Sequence, residues 1–586
     1  KLTGTTNSTT DFGMRLDSVA LLSKTGKIEL NGGARGISEA DQWNGTGGIT
    51  FGDCSATAAD DIESLDCNKS LFYDNSSRSV ADLEITAGQW DGHSTPNVTR
   101  LNTSGNVSIL PFAANGKFIG DVDFYHRLGS TKVGTSWVKL PLASFTIGKD
   151  IGATAMSNIV RVRNEVLSNG PIMVYGDGVE KYSNMQTLNS GARILLKSSA
   201  RIWVNTDADF TTNLGDVTLW SNSDNVSTGN VAGNIYLNNS VDFNTFNGVA
   251  ATTTPNYASP WGTLTAATGG DITLGGGLAD GTDSNKPAGY AYSGQSADPA
   301  VRIGTGVATS IWNSSGGDIT IKGVYNDNVT SQVATIMYAG TILNAGAGKI
   351  NVEGKATGAK GRGIEILYGA NGNTFWYSTG GTSKSDPAIT VKGSTQESGE
   401  TGILAAYWSN EPNNFLLQAL GSGGILLEGS APATGSRGGI EMNGAALLAP
   451  SGDITVDGGA AGVRIGNYWS YYGERTSVFG YCSPTTGATP RCANSLVPTA
   501  STSDVKIIGD KISTPGTSSN MVVATTGGVV VEPKGDTFTA ATNWSSNATG
   551  IASLRVGKDN GLSTVSVTVG GNQSEIGRAS CRERVS

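Results

Sequence analysis

Apolar and polar residues along this chain alternate with a period of two over short runs, and the same run returns many times. It reads Gly270-Asp271-Ile272-Thr273-Leu274-Gly275, then Gly317-Asp318-Ile319-Thr320-Ile321-Lys322-Gly323, then Lys349-Ile350-Asn351-Val352-Glu353-Gly354. It continues through Ala388-Ile389-Thr390-Val391-Lys392-Gly393, Gly424-Ile425-Leu426-Leu427-Glu428-Gly429 and Gly452-Asp453-Ile454-Thr455-Val456-Asp457-Gly458, and closes with Asp504-Val505-Lys506-Ile507 and Gly528-Val529-Val530-Val531. Earlier relatives are Lys27-Ile28-Glu29-Leu30, Asn106-Val107-Ser108-Ile109 and Gly215-Asp216-Val217-Thr218-Leu219. Alternation with β-branched residues predicts short strands with one side buried. The flanking glycines predict turns that need φ > 0 or no Cβ, and the Asp of each Gly-Asp-Ile-Thr phrase is placed to accept backbone N–H bonds there.

A second phrase lies between these anchors: Gly363-Ile364-Glu365-Ile366, Gly402-Ile403-Leu404-Ala405, Gly439-Ile440-Glu441-Met442 and Gly462-Val463-Arg464-Ile465. A third, more uniformly apolar patch often follows, as in Phe415-Leu416-Leu417 and Ala445-Ala446-Leu447-Leu448. Strand, turn, strand, turn, strand, then the first phrase again, describes one coil of an all-β, right-handed parallel β-helix with variable loop insertions. Its coils would stack ~4.8 Å apart, each burying a face that it cannot bury alone. The spacing is irregular, short from 505 to 529 and long from 454 to 505, which suits a scaffold whose loops vary. A string of β-sandwiches is the competing reading, with antiparallel pairs and Asn-Gly or Asp-Gly hairpins. Residues 1–265 are expected to form a less regular solenoid region with long loops, and 266–574 the regular repeat region.

Composition narrows the class. Glycine accounts for 82 of 586 residues, and charged residues for only 15%, against about 25% in an ordinary soluble domain. There is no Gly-X-Y period for collagen, and no apolar run long enough to span a bilayer as a helix. A net charge of −9 without basic clusters gives no footprint for nucleic acid.

The Gly-Asp-Ile-Thr-Val-x-Gly phrase with its Gly-Ile-x-Ile partners resembles the filamentous-haemagglutinin-like family of bacterial exoproteins, two-partner-secreted or of autotransporter type. The resemblance is clearest over 266–535. It implies a rod-like adhesin segment that attaches to cells or glycans by surface loops, exported to the exterior of a Gram-negative outer membrane by a secretion partner there. The target would be a host or neighbouring-cell glycan or protein. The chain starts at Lys1 without a leader, and Glu575–Val585 looks like translated sequencing-adapter read-through, so 575–586 is set aside as a non-native tail and the rest is expected to be part of a longer protein.

Four cysteines remain in two local pairs, Cys54 with Cys67 and Cys482 with Cys492, each expected to staple a loop in an oxidising compartment. Neither has zinc spacing, and no metal or cofactor is expected. His93, read as part of a polar loop, and His126, expected in a strand, are the only imidazoles, and no Gly-x-Ser-x-Gly elbow accompanies them, so no catalytic residue is assigned. Asp60-Asp61 reads as solvated charge, Asp207 and Asp209 as one strand face, and Asp280-Gly281-Thr282-Asp283 as a turn. Parallel β-helices also suit polysaccharide lyases and hydrolases or phage-tail-type glycan-binding proteins, the alternative class. The candidate ligand-binding residues are aromatic: Trp376, Tyr377, Tyr407, Trp408, Tyr468, Trp469 and Tyr471. Stacking of coils would align them into one stripe, either exposed for a glycan or protein or packed inside the solenoid.

Overall fold

Each predicted phrase places its β-branched residues on one side of a strand, and that side is what the stacked coils bury. A computed structural model describes residues 1–6, 11–16, 19–39, 49–52, 79–91, 99–128, 130–133, 136–156, 158–226, 232–246, 269–294, 298–306, 308–328, 332–338, 340–368, 374–407, 415–466, 476–482, 500–514, 521–558, 565–571, 573–574 and 579–581. No α-helix occurs among them, and nothing long and apolar enough to cross a membrane as one. The chain is a parallel β-helix in two units, Lys1–Val226 with Val241–Val249 and Gly276–Gly289, and Ser227–Ser240 with Ala250–Gly275 and Tyr290–Ser586.

In the second unit the first face runs through Ile319–Tyr325, Ile350–Ala356, Ile389–Thr395, Ile425–Ser430, Ile454–Asp457, Val505–Ile508, Gly528–Glu532 and Ser553–Val556, all parallel. These strands are the first phrase. Their register stacks Ile319 on Ile350, Ile389, Ile425, Ile454, Val505, Val529 and Leu554, every one buried. Ala579–Cys581 adds to the same face beside Ser553–Val556. The second phrase forms the second face, with Ile364, Ile403, Ile440 and Val463 in register. The third patch forms the third face, from Ser310–Asn313 through Thr374–Ser378 and Phe415–Ala419 to Gln573–Ser574.

The third face is apolar on both sides. One column stacks Leu343, Trp376, Leu417, Leu447, Phe479 and Val523; its neighbour stacks Ile342, Phe375, Leu416, Ala446, Val478 and Val522. Adjacent residues of a strand point to opposite sides, yet both columns are buried. The second column forms its own cluster with Tyr377, Leu448 and Cys482. Burial on both sides is why these strands read as continuous apolar runs instead of alternating.

The first unit repeats the plan with Ile28–Gly33, Leu83–Ala87, Asn106–Pro111, Ser144–Ile147, Ile172–Gly176, Ile194–Ser198 and Val217–Ser221 on its first face. Its second face holds Ile37–Glu39, Trp90–Asp91, Val122–Phe124, Ile159–Val162, Gly178–Lys181 and Ile202–Val204. An antiparallel hairpin, Ser130–Val133 with Ser136–Lys139, interrupts the coils.

Glycine closes the corners because backbones meet there. A Cβ on Gly393 would run into the carbonyl oxygen of Gly402, the glycine that opens the second phrase of the same coil. The turn aspartates tie one coil to the next: Asp318 N–H donates to Asp271 Oδ1 at 2.8 Å, and Lys349 N–H to Asp318 Oδ1 at 2.7 Å. Asp280 likewise accepts from Thr282 N–H within a turn.

Candidate binding surface

The expected aromatic stripe resolves unevenly. Trp376 is fully buried, meeting Phe415 edge-on with ring centroids 5.6 Å apart. Tyr377 packs in the second apolar cluster, 6.5 Å from the Phe375 ring, and burial pushes its phenol up from the ordinary value. Neither offers a ring face to a ligand, because both sides of their strand are covered. Here the interior alternative holds, and the surface assignment of Trp376 and Tyr377 is corrected. Tyr407 ends the strand Ile403–Tyr407, in register with Tyr368. Trp408, Tyr468, Trp469 and Tyr471 lie outside the described residues, as do His93, Asp60, Asp61, Cys54, Cys67 and Cys492. Cys482 is buried and disulfide-bonded.

Two other expectations change. Asp207 and Asp209 do not share a strand: Asp207 sits in a turn at φ 56°, and Asp209 accepts the Asp242 N–H at 3.0 Å. His126 follows the strand Val122–Phe124 instead of lying in one, and it is buried. No group of three or more His, Cys, Asp or Glu placed to hold a metal occurs among the described residues.

Half-exposed aromatic side chains do gather on the second face of the first unit. Tyr125, Tyr182 and Trp203 come from successive turns and strands of that face. The Arg163 guanidinium lies 4.1 Å from the Tyr182 ring centroid and 5.3 Å from that of Tyr125, so it is held between two rings. Arg201 lies 5.6 Å from the Trp203 ring. The strand register stacks Asp123 on Arg161, Arg161 on Glu180 and Glu180 on Trp203. Opposite charges therefore face each other across neighbouring strands.

Glu180 is the hub. It accepts from Arg161 Nε at 3.0 Å, Arg201 Nη2 at 2.8 Å and Tyr182 Oη at 2.9 Å. Burial works against its ionisation, but the Tyr182 hydroxyl, Arg201 and Arg161 together hold the carboxyl below its ordinary range. Burial, then the bond to Glu180, raises the Tyr182 phenol. Arg161 also reaches Asp121 at 3.0 Å and Asp123 at 3.2 Å, and Arg163 reaches Asp123 at 3.2 Å. Three guanidinium groups meet three carboxylates here. The network fixes its own rings and pairs its charges, with half-exposed rings bordered by hydrogen-bonding groups. Such a surface suits a polyhydroxylated ligand that packs against the rings and bonds sideways.

The second unit carries the same device: the Arg302 guanidinium lies between Tyr236 at 4.3 Å and Tyr338 at 5.1 Å. The sequence signal was an aromatic residue at or just beyond the end of a second-face strand, as in Asp123-Phe124-Tyr125 and Glu180-Lys181-Tyr182. It went unused because the tyrosines are single and the arginines that pair with them lie on other coils. Compared with family models, curated proteins and solved structures, the chain matches none.

Proposed function

We infer that the chain is a segment of a bacterial surface adhesin, exported to the cell exterior through an outer-membrane secretion partner, which attaches to cell-surface glycans through side chains on its strand faces. The observation that carries this reading is the ring–guanidinium–ring stack of Tyr125, Arg163 and Tyr182, locked to Glu180 on a rigid parallel sheet. Preorganised rings bind with little entropy to lose. The repeated Gly-Asp-Ile-Thr phrase and its resemblance to exported adhesin repeats support the cellular setting, and two local cysteine pairs suit an oxidising one.

The test is attachment of the purified chain to a panel of immobilised glycans and to intact cells. Tyr182→Ala and Trp203→Ala should each weaken binding by about tenfold with the chain still folded at the temperature of the assay. Equal binding by wild type and both variants would remove the surface from consideration. Release of new reducing ends from the glycans would instead favour a β-helix polysaccharide lyase or hydrolase.

A further inference from the structure

Arg302 breaks the charge pattern of the second faces. In the first unit Arg161 lies in register between Asp123 and Glu180, with a carboxylate on each side. Arg302 sits in the middle of Val301–Ile303 in the second unit, in register between Tyr236 on Ile235–Leu237 and Ile336 on Val333–Met337. Neither neighbour carries a charge to meet it. Arg161, Arg163, Arg201, Arg362 and Arg555 each pair with an Asp or Glu. Arg302 pairs with none among the described residues. Its Nε donates to the Gly304 carbonyl at 3.2 Å, and its guanidinium lies between the Tyr236 and Tyr338 rings. No bond ties Nη1 or Nη2 to any described residue.

The surroundings hold this guanidinium without neutralising it. Gly304 and Gly306, at φ 72° and 85°, turn the chain just past the strand, and the Thr305 N–H fixes that turn by donating to Asn239 Oδ1 at 2.8 Å. The Arg302 side chain is half-buried. Burial lowers its pKa, and only the Tyr338 phenol pulls it back up. A cation that has lost part of its water without gaining a counter-charge is stabilised when an anion arrives. With a ring on either side and Nε engaged, the approach left open is to the edge formed by Nη1 and Nη2.

We propose that Arg302 binds one carboxylate of an acidic saccharide, a uronic acid, edge-on through Nη1 and Nη2. A planar carboxylate meets the planar fork with two parallel bonds, which a neutral sugar hydroxyl does not provide. The flanking rings give the sugar apolar area to pack against. One guanidinium on a chain of net charge −9 selects a single acidic group and does not track a polyanionic backbone. The saccharide as carrier rests on the attachment reading above; the carboxylate rests on Arg302 alone, and no residue of the first unit's aromatic surface enters it.

The experiment is a ligand-observed NMR titration of the purified chain with methyl glucuronide, methyl glucoside and N-acetyl-aspartate amide. The glucuronide should bind saturably, and the glucoside, its uncharged counterpart, about tenfold more weakly or not at all. Arg302→Gln should weaken glucuronide binding by about tenfold or more and make the two sugars alike. Arg302→Lys keeps the cation without the fork and should bind the glucuronide several-fold more weakly than wild type. It keeps most of the packing as well, so it reports on the site even where the glutamine variant disturbs folding. Equal binding of the two sugars, or unchanged glucuronide binding in either folded variant, overturns the proposal. Saturation by the aspartate amide alone also overturns it, in favour of an acidic peptide. Failure of the chain to attach to glycans or cells, with the glucuronide titration intact, would remove the attachment reading and leave this site standing.

Discussion

His126 Nε2 lies 2.9 Å from Glu39 Oε1 inside the first unit, and neither side chain has any exposure. The imidazole stacks on Phe124 at 4.7 Å and is met edge-on by Trp90 at 5.0 Å. A polar pair enclosed by rings makes removal of one member worse than removal of both, because the survivor keeps its desolvation cost. His126→Phe and Glu39→Leu should each cost about 3 kcal/mol. The double variant should recover much of that loss. Hydrogen exchange of Ile37–Glu39 and Val122–Phe124 measures it locally, and strictly additive losses would contradict the coupling.

Trp376 and Trp203 separate core from surface. Trp376→Ala empties a fully buried site and should cost about 3–5 kcal/mol. Trp376→Phe should cost much less, since the indole Nε1 finds no hydrogen-bond partner among the described residues. Trp203 is half-buried, with the Arg201 guanidinium 5.6 Å from its ring, so Trp203→Ala should cost clearly less than Trp376→Ala. The two thermal melts decide it: similar losses for both alanine variants would show that Trp203 is structural.

The strands of the first face were legible because water covers one of their sides. Ile319, Ile321 and Gly323 are buried while Thr320 and Lys322 are not, and that contrast is the period-two signal. Phe415-Leu416-Leu417 on the third face carries no such contrast, so its apolarity was readable but not its sidedness. Sidedness then decided the fate of Trp376 and Tyr377, which the sequence could place equally well inside or out. Of the stack of Tyr125, Arg163 and Tyr182, only single tyrosines at strand ends were readable, not their pairing with arginine. Its members sit on three successive coils of unequal length, and only strand register brings them together.

The turn aspartates should act as links between coils. Asp504 Oδ1 accepts the Gly528 N–H at 2.8 Å, and Asp453 Oδ1 accepts the Asp504 N–H at 3.2 Å. Asp504→Ala leaves the Gly528 amide to water and should cost about 1 kcal/mol. Asp504→Asn keeps an acceptor oxygen and should retain most of that stability. Exchange of the Gly528 amide is the sensitive readout: equal protection in the alanine and asparagine variants would mean the side chain does not hold it.

Lys181 gives the first unit a pH dependence of known sign. It is fully buried in register between Val162 and Val204. Its Nζ donates to the carbonyls of Ala208 at 2.5 Å and Asp209 at 2.9 Å, and lies 3.9 Å from the Phe210 ring. Burial drives its pKa well below the ordinary 10.5, against the pull of Asp209. The unfolded chain therefore binds one more proton than the folded chain in the window below 10.5. Stability from this group is complete above that value and falls as pH drops towards the folded pKa. Lys181→Met should remove this rise, giving a flatter stability profile between neutral and alkaline pH. Denaturant midpoints for wild type and variant across that range test it, and parallel profiles would show that the lysine keeps its proton on folding.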